Sequence, residues 1–476
     1  MSNAESQALG LAAEALTGDC VWVVGGAIRN RLAGVVSGAD RFDLDLIIDA
    51  DAAAAASKLR SAAPRGTASF ELSDHFGGWR VCSPEGDWQI DCTPLQGTTL
   101  ESDLRARDLT INAIAQPLGG GELIDPTGGV NDLERGVLRA AGPAAFANDP
   151  LRCVRLARFA VQTGFEIEPG TMVAAQAEPG GLGEVAGERI FTELNLILES
   201  AAAVHGIRLL DEIGVAAVVL PELLELQGVE QTAYHHLDAY EHTLEVLQFA
   251  IDLEGDPIAL FGASDGAGVA AVLAEPLADG LSRAGGLRWG ALLHDIAKPQ
   301  TRAQFDDGRI GFPGHAVEGA EQSRVILERL KASEKLRAHV AKLTLEHLRL
   351  GFLVHEQPLT PEAFYLYLTS CEPVEVDVTL LSLADRLATR GRKAEQAITA
   401  HQQLALEVLE QALRWREHGP PEPVIRGDQL ASELGIEHGP QLGELLAAVA
   451  EAQYCGTVTD AAGAINLARS LLAGES

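Results

Sequence analysis

Apolar and polar positions alternate in short stretches near the start of the chain, and after about Phe146 they recur at the spacing of helices. VWVVGG reads as a short buried strand ending in two glycines, and AIRNRLAG as the helix after it. RFDLDLIID alternates at the period of a strand, which sends Leu44 and Leu46 into the core. WRVCSPEGDWQIDCTPL reads as a hairpin turned at Pro84, Glu85 and Gly86. In RARDLTINAIA, Arg107 and Asp108 precede what the apolar residues predict to be a helix. LRCVRLARFAVQTGF predicts a helix stopped near Gly164, and ERIFTELNLILES another. HTLEVLQFAI, WGALLHDIA, AVEGAEQSRVILERL and TLLSLADRLATR each carry one apolar face. Residues 255–286, rich in Gly, Ala and Asp, read as an insertion or a loose helical connector. The proline cluster in EHGPPEPVIRG marks a linker before a last small helical unit. The pattern predicts an α+β first part and an all-α remainder.

Composition narrows this picture. A chain of 476 residues exceeds one core and predicts two to four domains. An apolar fraction of 47% excludes a disordered protein. No apolar run reaches the roughly 18–20 residues of a membrane span, and MSNAESQALG lacks the basic start and apolar stretch of a secretory signal. Six scattered cysteines without a CxxC pair suit a reducing compartment, so a cytoplasmic location is expected. The net charge of −32 works against binding a polyanion. Only six of the 36 basic residues are lysines, so a nucleic-acid surface here has to be a local patch of arginine.

Against that background two groups of residues stand out. Gly25 and Gly26 lie where a strand turns into a helix, so backbone N–H groups can approach a phosphate, with Arg29 one turn on. A plain turn is the simpler reading of the two glycines alone. Asp43 and Asp45 stand two apart on a strand and face the same way. A solvated edge strand accounts for such a pair by itself; after a Gly-Gly turn, a Mg²⁺ site for a nucleoside triphosphate accounts for it better. Asp149, Arg152, Arg155 and Arg158 follow at steps of three, which on a helix form one broad stripe, either a solvated basic face or a reader. A carboxylate accepts from an exocyclic amine and a guanidinium donates to a ring acceptor. Cytosine and adenine present that pair of groups, so Asp149 and Arg152 can select C and A without a template. The second group is His294 and Asp295 with His242, His315, His347 and Asp385, collected because LLHDIAKP resembles the HD phosphohydrolases; imidazoles and carboxylates suit Mn²⁺, Fe²⁺, Ni²⁺, Co²⁺ or Mg²⁺. His235, His236 and His355 are read as ordinary histidines.

The first group, in this order, resembles the bacterial class of tRNA nucleotidyltransferases and their poly(A) polymerase relatives. The family's GG-x-V-R-D is here Gly25-Gly26-Ala27-Ile28-Arg29-Asn30, and its R-R-D is Ala106-Arg107-Asp108. Its D-P-x-G-G-x-x-D-L spans 125–133, its E-D-x-x-R is Asn148-Asp149-Pro150-Leu151-Arg152, and its E-R-I is Glu188-Arg189-Ile190. The match runs over 21–199, and 424–472 looks like the family's C-terminal helical unit. Asn30 and Ala106 depart from the pattern without touching a metal ligand or a base reader.

The resemblance implies a polymerase-beta-like nucleotidyltransferase head (1–140), a helical neck (141–225), an HD-domain helical bundle (226–415) and a small helical tail (416–476). It implies that Asp43 and Asp45 are catalytic and hold Mg²⁺, and that Gly25, Gly26, Arg29 and Arg107 meet the triphosphate. Asp108 would hold the ribose, Asp149 and Arg152 would read the base, and Arg155 and Arg158 would support them. The expected partners are the tRNA 3′ end, CTP and ATP, and no membrane. LLHDIAKP resembles the HD phosphohydrolases, which implies that His242, His294, Asp295 and Asp385 hold one metal. Asp295 could bridge to a second metal at His315 and His347. The implied reaction is hydrolysis of a phosphoester such as a 2′,3′-cyclic phosphate. A poly(A) polymerase, an A-only or CC-only adder, and a phosphohydrolase with a vestigial head remain the alternatives.

Overall fold

Strand β2 (Phe42–Ile48) sorts its side chains as the alternation predicts. Leu44, Leu46 and Ile48 are buried beneath it, while Asp43 and Asp45 lie on the opposite face. In the computed structural model residues 3–34, 41–73, 77–232, 234–391 and 394–474 are described. They fall into two units, Met1–Val219 and Leu220–Ser476.

In the first unit β1 (Val21–Val24), β2, β3 (Ala68–Ser73), β4 (Gly78–Cys82), β5 (Trp88–Pro94) and β6 (Ala115–Pro117) form one sheet of order β3-β4-β5-β2-β1-β6. Only β2 and β5 run parallel, in the register Asp45 opposite Asp91. Helices α1 (Asn3–Ala15) and α2 (Ala52–Ala62) bring Ala8, Ala12, Ala56 and Leu59 against Leu44, Leu46 and Ile90 on one face. On the other face a smaller cluster of Val24, Ile47, Leu104 and Ala115 closes one end. The sheet there stays open around Asp43 and Asp45, which is what makes room for a ligand.

The segment LTINAIAQP corrects the expectation of a helix after Asp108. It forms a 3₁₀ turn over Thr110–Asn112 and then strand β6. Its apolar residues are continuous because Ile111, Ala113, Ile114 and Ala115 are buried all round, so periodicity carried no strand signal. The family-like stretch 125–133 is the brace for this turn. Asp125 accepts from the N–H groups of Gly129 and Val130 at the start of a helix over Gly129–Arg135, and Asp132 accepts from Thr110 Oγ1 at 2.8 Å. A Cβ on Gly129 would sit 2.0 Å from the Thr110 carbonyl oxygen, so the helix packs there only as glycine. Two helices beyond, Leu151–Thr163 and Gly187–Leu198, pack their apolar faces together, and the first stops at Gly164 as expected.

The second unit is helical. Helices over Ala239–Gly255, Arg283–Leu293, Glu334–Glu346 and Glu375–Ala388 pack around Leu247, Trp289, Leu343 and Leu380. Residues 255–286 are not a loose connector. They form helices Pro257–Phe261 and Ala263–Leu273 and a short hairpin of Pro276–Ala278 with Leu281–Ser282. Their glycines allow close packing: a Cβ on Gly266 would lie 2.4 Å from the Pro257 carbonyl oxygen. Three helices over Gly427–Leu434, Pro440–Tyr454 and Ala461–Ala473 share their own core of Leu430, Leu442 and Leu445 after the proline segment. Among the described residues no helix is long and apolar enough to cross a membrane.

Candidate active sites

A cavity of about 590 Å³ opens on the uncovered face of the sheet, lined by Gly25, Gly26, Asp43, Asp45 and Asp91 together with several arginines. Asp45 faces Asp91 across the parallel register, and both Arg80 N–H bonds to Asp91 are 2.7 Å. Burial, reinforced by the Asp91 charge, pushes the Asp45 carboxyl up to about 6. Asp43 is exposed and ion-paired with Arg41 at 3.1 Å. Gly25 closes the opposite wall with φ +68°, and a Cβ there would fall 2.8 Å from Asp45 Oδ2. The donor set fits Mg²⁺: hard carboxylate oxygens, one of them strained by like charge, beside a turn too tight for a side chain.

The rest of the cavity is a relay of polar contacts. Arg29 donates to Asn30 Oδ1 and Asn112 Oδ1, and Asn112 donates to Asp108. Asp108 also accepts from the Leu109 N–H and from Arg155 at 3.0 and 2.6 Å. Burial alone would raise the Asp108 carboxyl, but the Arg155 guanidinium outweighs it and holds the group well below the usual carboxylate range. Arg107 is paired with buried Asp103 at 3.2 Å. Arg155 and Arg158 both reach buried Glu193, at 3.6 and 2.7 Å. Arg155 and Arg158 are therefore no solvated basic face. Burial pushes the Arg158 guanidinium down to about 10 even with Glu193 beside it.

Asp149 and Arg152 lie at the start of the helix Leu151–Thr163, outside the lining of this cavity. Asp149 accepts from the Leu151 N–H and from Arg189 at 2.9 Å. Arg152 donates to the carbonyls of Ala106 and Ala145, at 2.8 and 2.9 Å, which places it beside Arg107 and Asp108.

The second unit gathers all six residues of the histidine and aspartate set. Asp295 is at the centre. Its Oδ2 lies 3.0 Å from His294 Nε2 and 3.7 Å from His242 Nε2, and its Oδ1 lies 3.4 and 3.8 Å from His315 and His347 Nε2. Asp385 is 3.0 Å from His242 Nε2. In His294, His315 and His347, Nδ1 lies within hydrogen-bond distance of the carbonyl three residues earlier, at 2.9, 2.8 and 2.6 Å. Donation there fixes the tautomer and leaves Nε2 as a lone pair aimed at Asp295. His242 Nε2 and His294 Nε2 are buried without an aligned hydrogen-bond partner, and Asp295 Oδ2 faces the Lys298 ammonium at 2.5 Å. Burying such groups is costly unless a cation takes them up, so the set fits one or two divalent metals. A cavity of about 700 Å³ opens onto Asp295, His315, His347 and Asp385.

Several participants escape a reading of the sequence. Asp91 repeats the Leu-Asp-Leu pattern of β2 as Ile90-Asp91-Cys92, a signal that was available. Glu193 and Asn112 carry none, because their partners are distant in the chain. Lys298, one turn beyond Asp295 and 2.5 Å from its Oδ2, was available in HDIAK. His235, read as ordinary, lies 4.9 Å ring to ring from His242 and close to Asp385.

The sheet with its carboxylate pair and the buried histidine cluster define a polymerase-type nucleotidyltransferase head joined to an HD unit. Residues 21–139 match the Poly A polymerase head domain, 164–226 the probable RNA and SrmB-binding site of polymerase A, and 239–390 the HD domain. The chain is 37% identical over 451 residues to the A-adding tRNA nucleotidyltransferase of Deinococcus radiodurans, covering 92% of each. It is 34% identical to the CC-adding tRNA nucleotidyltransferase of Thermus thermophilus, over 91% of this chain and 90% of that one. Its fold is also that of the Bacillus stearothermophilus CCA-adding enzyme in complex with CTP, at TM-score 0.63 and 22% identity, over 100% and 99% of the two chains. The chain belongs to the tRNA nucleotidyltransferases, a family of transferases.

Proposed function

We propose that the protein extends the 3′ end of tRNA with C, C and A from CTP and ATP, without a nucleic-acid template. The observation that carries this reading is the pair Asp43 and Asp45 on the open face of β2, set against the Gly25-Gly26 turn in an arginine-lined cavity. In this reading Asp43 and Asp45 would hold Mg²⁺, whose charge would neutralise the triphosphate and lower the pKa of the terminal 3′-OH. Gly25 and Gly26 let the backbone approach the triphosphate, while Arg29 and Arg107 bind it and align the α-phosphate for in-line attack by the terminal 3′-oxygen, with pyrophosphate as the leaving group. Asp108, anchored by Arg155, holds the ribose. Asp149 accepts from the amine of cytosine or adenine and Arg152 donates to the neighbouring ring acceptor, with Arg189 and the Ala106 and Ala145 carbonyls fixing both. Arg155 and Arg158, themselves held by Glu193, support this pair.

A second reading, addition of A only or of CC only, is favoured by the relatives matched over nine-tenths of their length, whose names are A-adding and CC-adding. Three tRNA substrates decide, ending at the position before CCA, after C and after CC, each given CTP, ATP or both. Full CCA addition requires extension of all three, whereas a CC-adder leaves the tRNA ending in CC untouched and an A-adder leaves the other two. Incorporation of long A tracts would move the protein to poly(A) synthesis.

In the second unit we propose a metal-dependent phosphoester hydrolase acting on ends such as 2′,3′-cyclic phosphates. His242, His294, Asp295 and Asp385 would hold one ion, and Asp295, His315 and His347 a second. Mn²⁺, Fe²⁺, Ni²⁺, Co²⁺ and Mg²⁺ all suit these donors.

A further inference from the structure

The loop ahead of the helix Ala239–Gly255 is tied to two of the elements that supply the histidine and aspartate cluster. Gln231 accepts from Lys298, one turn past Asp295, at 2.5 Å, and donates to the carbonyls of Leu237 and Asp238 at 3.3 Å. The Tyr234 carbonyl accepts from the N–H of Gly391 at 2.7 Å, just past the helix Glu375–Ala388 that carries Asp385. A Cβ on Gly391 would stand 2.1 Å from that carbonyl oxygen, so the loop comes this close only against glycine. His235 follows Tyr234 and is held against the cluster. Its ring meets that of His242 edge-on, with centroids 4.9 Å apart at 85°. One donor atom from each of His235, His242 and Asp385 lies within 4.8 Å of the other two. A single ion with bonds of about 2.1 Å draws such a set together with small side-chain movements. His235 Nδ1 is 3.1 Å from Thr232 Oγ1, and its Nε2 has no hydrogen-bond partner among the described residues. His294, His315 and His347 are engaged in the same way, with Nδ1 on an oxygen and Nε2 turned to Asp295.

The neighbouring His236 shows the contrast: it is exposed and its nearest carboxylate, Glu245, is 3.8 Å away. His235 lines the cavity of about 700 Å³, whereas His242 and His294 lie behind its wall. We propose that His235 is a further ligand of the ion assigned to His242, His294, Asp295 and Asp385, reaching it from the cavity side. This rests on the reading of the cluster as a metal centre. His235 lies outside the residues 239–390 that match the HD domain, so the loop of this chain adds it to the set. A fifth protein donor takes a coordination position that water would otherwise fill. It therefore tightens binding of the ion and leaves fewer positions open to a substrate. Being an imidazole, it favours Fe²⁺, Co²⁺ or Ni²⁺ over Mg²⁺.

The test uses the full chain, stripped of metal and titrated with Co²⁺ against a competing chelator. His235→Ala is expected to weaken Co²⁺ binding at one site by at least about tenfold and to shift the visible absorption of the bound ion. His236→Ala should leave both unchanged. His235→Cys places a thiolate in the same position and is expected to add a sulfur-to-Co²⁺ charge-transfer band in the near ultraviolet, with none from His236→Cys. His235→Ala with the affinity and spectrum of the unchanged protein, or His235→Cys that binds Co²⁺ without the band, would overturn the inference. Asp295→Ala separates the levels: if it binds Co²⁺ as the unchanged protein does, the reading of the cluster as a metal centre fails. If it loses Co²⁺ while the position 235 variants show no effect, only the role given to His235 fails.

Discussion

Gly25 and Asp45 approach so closely that a Cβ on the first would stand 2.8 Å from a carboxylate oxygen of the second. The contact arises because Asp45 lies opposite Val24 in the β1–β2 ladder and the chain turns at the next residue with φ +68°. Gly25→Ala therefore carries two costs, the positive φ, worth about 1–2 kcal/mol, and displacement of Asp45. Nucleotide incorporation is expected to fall at least ~100-fold, while thermal unfolding moves by only a few degrees. Incorporation at the unaltered rate would show that the carboxylate does not need this position.

Glu193 joins Arg155 and Arg158 inside the first unit. Removing it leaves two buried guanidinium groups with one partner fewer. Glu193→Leu is expected to destabilise by roughly 3–5 kcal/mol, and Glu193→Leu with Arg158→Met to recover much of that loss. Urea unfolding of both variants checks the order. A single variant as stable as the unchanged protein would mean that solvent reaches the pair.

The carboxylate strand and the Gly-Gly turn were legible in the sequence because local spacing carries their information, whereas the six metal-type donors, spread over 242–385, were collected by resemblance to the HD phosphohydrolases. Asp43 and Asp45 share a face through the strand repeat, and His294 is adjacent to Asp295. What the sequence hid depends on distant pairing. Asp91 joins Asp45 only through the parallel β2–β5 register. Arg155 looks like a member of a basic stripe until Asp108 and Glu193 arrive from other segments. LTINAIA misleads as a helix because burial on every side erases the alternation that would reveal a turn and a strand. The glycines of 255–286 suggest looseness, yet at Gly266, Gly268 and Gly286 neighbouring backbone or side chains come too close for a Cβ.

The histidine cluster predicts a metal content that is independent of tRNA extension. Protein purified without chelators is expected to hold up to two divalent ions per chain by elemental analysis. Asp295→Ala should lose both, and His315→Ala or His347→Ala should lose one, with CTP and ATP incorporation unaltered. Equal metal content in all four proteins would remove these residues from the ligand set.

His339 provides a pH dependence. Burial, then the charges of Arg283 and Lys335, push its imidazole down to about 3. Asp377 lies 3.6 Å away but is itself bound by Arg283. The unfolded chain protonates this histidine near pH 6.5 while the folded chain resists it. Its contribution to stability is therefore complete above about pH 6.5 and is lost as pH falls toward 3, on the order of 5 kcal/mol in all. His339→Leu should flatten the acid limb of the unfolding curve between pH 6.5 and 4. An unchanged slope would show that other groups set it.

The most direct test of the account is incorporation of labelled CMP and AMP into tRNA lacking its CCA end, by the unchanged protein and by Asp45→Asn, with Mg²⁺ and no template. Asparagine keeps the shape of Asp45 and removes its charge. The account predicts extension by the unchanged protein and at least a ~1,000-fold loss in the variant, with Mg²⁺-independent nucleotide binding retained. Extension by Asp45→Asn at the unchanged rate would contradict it, and would move the chemistry away from the carboxylate pair on β2.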